Sequence, residues 1–161
     1  MSTAKTSVGL ICMLLISACT FNHPRLPEGF SNEFFWMPED QRDAEFLKQD
    51  FDTQYKIYIY GSQEIEPPVM GLAWVLAKQG GKIVQPLQAK LEAADDDFTI
   101  RDILLVFVAM SQLETYDVAG NKPLMQELLE KSGEIKDPSW AIVAQDDIHE
   151  ITFKCKCELR K

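Results

Sequence analysis

The chain has 161 residues, a length that suits one domain with a hydrophobic core of its own. Lys and Arg number 16 against 25 Asp and Glu, so the formal net charge is −9 with histidine neutral. This charge repels phosphate backbones and argues against general nucleic-acid binding. A hydrophobic content of 46% excludes a disordered acidic chain.

The amino terminus has the features of a secretory signal peptide. Lys5 precedes an apolar run over residues 8–16, and the small residues Ser17 and Ala18 follow it. The run is too short to span a bilayer, which needs about 20 apolar residues. Residues 1–18 are therefore predicted to be a signal peptide that is removed.

The end of this run is more specific than a general cleavage site. The segment Leu15–Cys19, Leu-Ile-Ser-Ala-Cys, resembles the lipobox of bacterial lipoproteins. The resemblance implies cleavage before Cys19, diacylglycerol on its thiol and a further acyl chain, such as palmitate, on the new amine. Two or three acyl chains anchor a protein stably to a membrane. A plain signal peptide followed by a chance cysteine is the alternative.

The residue after Cys19 bears on the destination of the protein. In Gram-negative lipoproteins an aspartate at this position favours retention in the inner membrane, and here the residue is Thr20. The resemblance therefore implies a lipid-anchored protein of the bacterial cell envelope, at the outer membrane and facing the periplasm. Surface export and a Gram-positive host are the alternatives.

Residues 19–37 are predicted to be a tether between the anchor and the domain. Pro24, Pro27 and Gly29 fall in a stretch without hydrophobic periodicity. The apolar cluster at residues 34–37, Phe-Phe-Trp-Met, is interpreted as a hook that docks the tether onto the domain. A contact with the membrane interface and an exposed surface for a partner are the alternatives.

Residues 38–161 are predicted to form a single α-helical domain. Apolar spacing predicts a helix over residues 40–61, although residues 55–60 have the composition of a strand. Further helices are predicted over 69–79, 82–93 and 100–113. The last is expected to be central, because residues 103–110 are apolar throughout, and to begin with a capping box of Thr99 and Asp102. The acidic run at 95–97 is interpreted as its solvated start.

Two more helices are predicted to follow Asn121 and the Asp137-Pro138 pair. The turn over residues 76–87, with Gly80-Gly81 and Pro86, resembles the inter-helix turn of a HEAT-type hairpin. No second copy is visible, whereas a solenoid usually needs three or more. The predicted fold class is therefore all-α, with short antiparallel helical hairpins and HEAT-like packing.

The carboxyl-terminal segment holds two cysteines, Cys155 and Cys157. Residues 151–159 alternate in polarity, which predicts a short extended segment, although a helix continuing from residue 137 also fits. In a strand, residues two apart have Cα atoms about 6.6 Å apart, at the upper edge of the disulfide range. A disulfide, two thiols packed on the domain, and a metal site completed by His149 with Asp146 or Asp147 stay open.

No catalytic motif is present. Neither a Gly-x-Ser-x-Gly elbow nor a phosphate-binding loop occurs, and no cofactor is predicted. The sequence therefore predicts a non-enzymatic, membrane-anchored binding or scaffold module for a protein or peptide partner, with a basic partner favoured by the acidic charge. The alternatives are an envelope enzyme with an unrecognised site, and a metal- or redox-handling protein using Cys155 and Cys157.

Overall fold

The computed structural model describes residues 23–158, with side chains described through residue 153. Short 3-10 helices lie at Asn32–Trp36 and Gly80–Ile83. Within the described residues the α-helices are α1 (Glu39–Leu47), α2 (Phe51–Gln63), α3 (Leu72–Ala77), α4 (Val84–Ala93), α5 (Asp97–Gln112), α6 (Lys122–Ser132) and α7 (Pro138–Glu158). This part of the chain contains no strand, and the predicted all-α fold is confirmed.

The helix predicted over residues 40–61 is in fact two helices. α1 ends at Leu47, and α2 begins after Asp50, whose carboxylate accepts hydrogen bonds from the Thr53 amide at 3.0 Å and the Thr53 hydroxyl at 3.1 Å. Such a cap satisfies an amide of the first turn that has no partner within the helix. The segment 55–60 lies inside α2, so its helical interpretation is confirmed.

α5 begins earlier than predicted, because a different residue caps it. The carboxylate of Asp96 accepts a hydrogen bond from the Thr99 amide at 2.9 Å. Thr99 therefore lies inside the helix, and Asp102 is fully buried. The predicted capping box of Thr99 with Asp102 is wrong, whereas the interpretation of residues 95–97 as the start of the helix is correct.

α7 is fixed at its start by two aspartates. Asp137, which precedes the helix as predicted, accepts hydrogen bonds from the Ser139 amide at 2.8 Å and the Trp140 amide at 3.2 Å. Asp97 accepts from the amides of Lys136 at 3.1 Å and of Asp137 at 2.8 Å. The loop before α7 is thereby held against the first turn of α5.

α5 is the centre of the fold, as its apolar sequence predicted. It packs against α2, α3, α4, α6 and α7, most extensively against α7 and α3. Its inward positions are essentially inaccessible to solvent: Ile100, Ile103, Leu104, Val106, Phe107, Val108, Ala109 and Met110. Five helices thus bury their apolar faces against one common partner.

The turn between α3 and α4 depends on a close approach of two backbones. Gly80 has a φ of +58°, and a Cβ atom there would lie 2.6 Å from the carbonyl oxygen of Thr115. The Thr115 hydroxyl donates to the carbonyl of Ala77 at 2.6 Å, which ties the end of α3 to the loop after α5. α3 packs mainly against α5, and HEAT-like packing of this segment stays a prediction.

Gly80→Ala is expected to lower the free energy of unfolding by about 1–3 kcal/mol. The new Cβ atom would be strained by the left-handed backbone conformation at this position and would overlap the carbonyl oxygen of Thr115. Urea denaturation of the purified variant would measure the loss. Gly71→Ala is the matched control, since Gly71 has a negative φ and open space around it. Equal denaturation midpoints for the two variants would contradict the assigned role of Gly80.

The segment before α1 packs onto the domain. Phe34 and Phe35 are 6% and 3% exposed and form an edge-to-face pair with ring centroids 5.2 Å apart. Phe35 also stacks on Tyr60 of α2 at 5.9 Å. The docking interpretation is confirmed for these two side chains, whereas Trp36 is 62% exposed. The core thus includes side chains from residues 19–37, the segment assigned to a tether.

α7 corrects the prediction for the carboxyl-terminal segment. Its backbone is helical through Glu158, so the predicted extended segment is wrong over residues 151–158 and the continued helix is right. Ile148 and Ile151 are buried at helical spacing, and the Thr152 hydroxyl donates to the carbonyl of Ile148 at 3.0 Å. Burial of apolar side chains at this spacing favours the helix over the alternating pattern.

Candidate functional site

A polar cluster is buried where α2 meets α5. The carboxylate of Asp102 is inaccessible to solvent; its Oδ2 accepts hydrogen bonds from the Ser62 hydroxyl at 2.6 Å and the Gln63 amide at 3.0 Å. Its Oδ1 is bound by the Arg101 guanidinium, with Nε at 2.9 Å and Nη2 as the second donor. A charge can be buried at tolerable cost only when it is compensated in this way.

Arg101 extends this cluster to α7. Its guanidinium lies 4.3 Å from the ring centroid of Trp140 and 5.5 Å from that of Phe98. The two rings meet edge to face at 5.6 Å. A guanidinium over an indole is a favourable cation–π contact, and it strengthens when solvent is excluded. One arginine therefore joins the buried carboxylate of α5 to the first turn of α7.

The electrostatics of the cluster reflect its burial. Burial raises the pKa of the Asp102 carboxyl, and the charge of Arg101 and the hydrogen bonds from Ser62 and Gln63 oppose this shift. Burial likewise raises the pKa of Tyr58 well above its usual value, and the Asp102 carboxylate adds to the effect. The Tyr58 hydroxyl donates to the Asp102 backbone carbonyl at 2.7 Å. Neither Asp102 nor Tyr58 is accessible to a substrate, so both pKa shifts are properties of the interior of the fold.

Asp147 of α7 is expected to make the stability of the protein depend on pH. Burial, followed by the charges of Glu150 and Asp146, raises its pKa to about 6, although Arg101 opposes the shift. Between the ordinary value of 3.8 and about 6 the folded chain binds more protons than the unfolded chain, so stability rises as the pH falls through this window. The slope from one group is at most about 1.4 kcal/mol per pH unit.

Urea denaturation at pH 7.5 and at pH 5 would measure this dependence, and Asp147→Asn is expected to reduce it. Asp102 contributes in the same direction, so a smaller dependence remains in the variant. Asp40→Asn, at an exposed position of α1, is the control. A pH dependence that Asp147→Asn leaves unchanged would exclude Asp147 as its source.

α7 also exposes two large apolar side chains on one side, with an aromatic histidine between them. Ile142, His149 and Phe153 fall on one side of the helix and are called here the outer face of α7. Ile142 is 61% and Phe153 56% exposed, and the His149 ring stacks on Phe153 at 5.5 Å. The opposite side of the helix carries Ala144, Ile148 and Ile151 into the core. α7 is therefore apolar on its buried side, and on the opposite side it exposes Ile142 and Phe153, about 16 Å apart along the helix axis, which the described residues leave uncovered.

The structure describes some of the residues singled out from the sequence and not others. Cys19 lies outside the described residues, and its lipid attachment stays a prediction. Cys155 and Cys157 have a helical backbone, so the strand spacing considered for them does not apply. Their side chains lie outside the described part, so the three uses considered for them, a disulfide, two packed thiols and a metal site, stay open. His149 is exposed on α7.

Sequence reasoning missed the pairing of Arg101 with Asp102. The available signal was two adjacent charged residues inside an apolar helix, with no other charge between Thr99 and Ser111. A charge in the middle of a buried helix requires a partner. The other partners, Ser62 and Gln63, lie on α2 and share no local pattern with Asp102.

Comparisons with family models, curated proteins and solved structures find no match. Among residues 23–158, no helix has the length and apolar character needed to cross a membrane. Among the side chains of residues 23–153, no group of three or more His, Cys, Asp or Glu could bind a metal ion.

Proposed function

We propose that this chain is a lipid-anchored binding module of the bacterial cell envelope, attached to the outer membrane through Cys19 and facing the periplasm. It engages a protein partner through the outer face of α7. The observation that carries the proposal is the exposure of Ile142 and Phe153 on a helix whose other side already fills the core. An exposed apolar surface rimmed by polar residues is typical of an interaction site.

The energetics of the outer face favour a protein as its occupant. Full burial of a side chain such as Ile142 or Phe153 is worth about 1.5–3 kcal/mol relative to leaving it exposed. Phe153 with the stacked His149 ring offers a rigid aromatic contact. Aromatic side chains are over-represented at the centres of protein interfaces.

Charge indicates the kind of partner. Asp146 and Glu150 are exposed beside the outer face, and the chain carries a formal net charge of −9. A partner with an apolar contact surface and basic residues around it would be attracted by this field, mainly through a faster association. Its binding should weaken as salt screens the charges.

A non-enzymatic role is supported by the position of two groups with perturbed pKa values, Asp102 and Tyr58; Asp147, whose pKa is also raised, is only partly buried. Asp102 and Tyr58 have shifted pKa values, yet both are fully buried and satisfied by partners within the fold. An active site needs such groups at a surface that a substrate can reach. The pKa shifts of Asp102 and Tyr58 therefore follow from their burial in the fold.

The lipid anchor can be tested by metabolic labelling with a radioactive or clickable fatty acid. The wild-type chain is expected to carry the label, and Cys19→Ser is expected to lose it. Labelling that persists in Cys19→Ser would overturn the proposed anchor.

The binding site can be tested by substitution on the outer face of α7. The wild-type chain is expected to retain a basic protein from an envelope extract, whereas Ile142→Asp and Phe153→Asp should each reduce retention at least tenfold, because a charge would enter the contact. Leu47→Asp is the matched control, at an apolar side chain of α1 that is 46% exposed. Equal retention of the partner by all three variants would exclude the outer face as the site.

A further inference from the structure

The contacts between the amino-terminal segment and the helices begin at His23, the first residue that the structure describes. His23 Nδ1 lies 3.0 Å from a carboxylate oxygen of Glu64, at the end of α2. Leu26 and Phe30 then pack against the core. Four peptide units separate Cys19 from His23, and fully extended they span at most about 14 Å. A lipid on Cys19 would therefore hold this side of the domain within about 14 Å of the bilayer.

The amino-terminal segment follows the carboxyl-terminal half of α2. The Tyr60 hydroxyl donates to the side-chain oxygen of Asn32 at 3.1 Å, and Phe35 stacks on the Tyr60 ring. Glu64, the partner of His23, lies one helical turn beyond Tyr60, an axial rise of about 6 Å. His23 and Phe35 thus contact neighbouring turns of one helix. Trp36 follows Phe35 directly in the chain, so its backbone lies beside the same part of α2.

Trp36 is exposed where its neighbours are not. Its side chain is 62% exposed, whereas Phe34 and Phe35 are 6% and 3% exposed. An indole has an apolar body and a polar N–H group, and tryptophan concentrates at the boundary between lipid and water. The exposed Glu28, Glu33 and Glu39 in the same part of the chain outnumber the exposed Arg25, and this negative balance disfavours anionic lipid.

We infer that the side of the domain formed by His23–Met37 lies against the surface of a zwitterionic phospholipid bilayer, with the Trp36 indole in the headgroup region. The inference rests on the proposed lipid anchor and adds an orientation to it. The anchor supplies proximity, and Trp36 supplies a contact that fixes which side of the domain meets the membrane. A single interfacial side chain is enough to orient the domain, because the lipid anchor already holds the domain at a high local concentration near the bilayer.

The test uses the full mature chain, purified from membranes and reconstituted into phosphatidylcholine vesicles with and without bromine on the upper part of the acyl chains. Bromine quenches only nearby indoles, and the chain has three tryptophans. The wild type is expected to lose up to about one third of its emission, one indole in three. Trp36→Phe should abolish the loss, whereas Trp140→Phe, which removes the indole under Arg101, should preserve it.

The outcomes separate the inference from the anchor. A chain without fatty acid that does not bind vesicles would overturn the proposed anchor. A labelled, vesicle-bound chain with no quenching, or with quenching that survives Trp36→Phe, would overturn the orientation alone. A 20-residue Gly/Ser insertion after Thr20 should reduce the quenching, because it lowers the local concentration of the domain at the bilayer. Undiminished quenching in that variant would show that the short distance between Cys19 and His23 is not what holds Trp36 at the bilayer.

Discussion

Asp102→Ala is expected to lower the free energy of unfolding by about 3–5 kcal/mol, the usual cost of removing one partner from a buried ion pair. The substitution leaves the Arg101 guanidinium, 11% exposed, without its carboxylate. It also leaves the Ser62 hydroxyl and the Gln63 amide without the acceptor that they share. Urea denaturation at pH 7 would measure the loss.

Two further variants make the interpretation specific. Asp102→Asn keeps the size of the side chain but removes its charge, so it should fall between the wild type and Asp102→Ala. The double variant Arg101→Met/Asp102→Leu should recover much of the loss, because two apolar side chains leave no uncompensated charge. A change below about 1 kcal/mol for Asp102→Ala would put it among ordinary surface substitutions and would contradict the buried cluster.

Phe35→Ala is expected to cost about 3–5 kcal/mol of unfolding free energy, in the range for truncating a buried phenylalanine. Its ring stacks on Tyr60 and fills the space above Gly61, where a Cβ atom would lie only 2.6 Å from the ring. The cavity would open between α2 and the amino-terminal segment. Thermal or urea denaturation of the purified variant would report the loss.

Trp36→Ala provides the matched control in the same segment. It removes a larger side chain, but one that is 62% exposed, so the change should stay within about 0.5 kcal/mol. If Phe35→Ala were as mild as Trp36→Ala, the amino-terminal segment would be an attachment to the domain and not a part of its core. The two adjacent residues thus test where the folded unit begins.

The sequence predicted most helices because their signals are local. The continuous apolar run over residues 103–110 identified α5 as central, and Asn121 and the Asp137-Pro138 pair marked the starts of α6 and α7. These signals depend on residues three or four apart, which periodicity and capping rules can detect.

Other features were missed because their signals are ambiguous or depend on residues that are far apart in the chain. The break before α2 was hidden because Leu47 and Phe51 keep the helical spacing across it, although the Asp50 and Thr53 pair was a usable capping signal. Over residues 151–158 the apolar positions fit both a period of two and a helical period, so packing decided the outcome. Asp102 looked like a local capping residue because its partner Ser62 is distant in the chain and close only in the fold.

The central position of α5 has a consequence for how the domain comes apart. Its five neighbouring helices share it as a packing partner, so no consecutive pair of helices carries a complete apolar core of its own. In a linear array of helical repeats each repeat packs only against its neighbours, so loss of a terminal repeat removes only one interface. Here the loss of any large helix would expose part of the same central surface. The domain is therefore expected to melt in a single cooperative transition, and fragments made of two or three successive helices should remain unfolded.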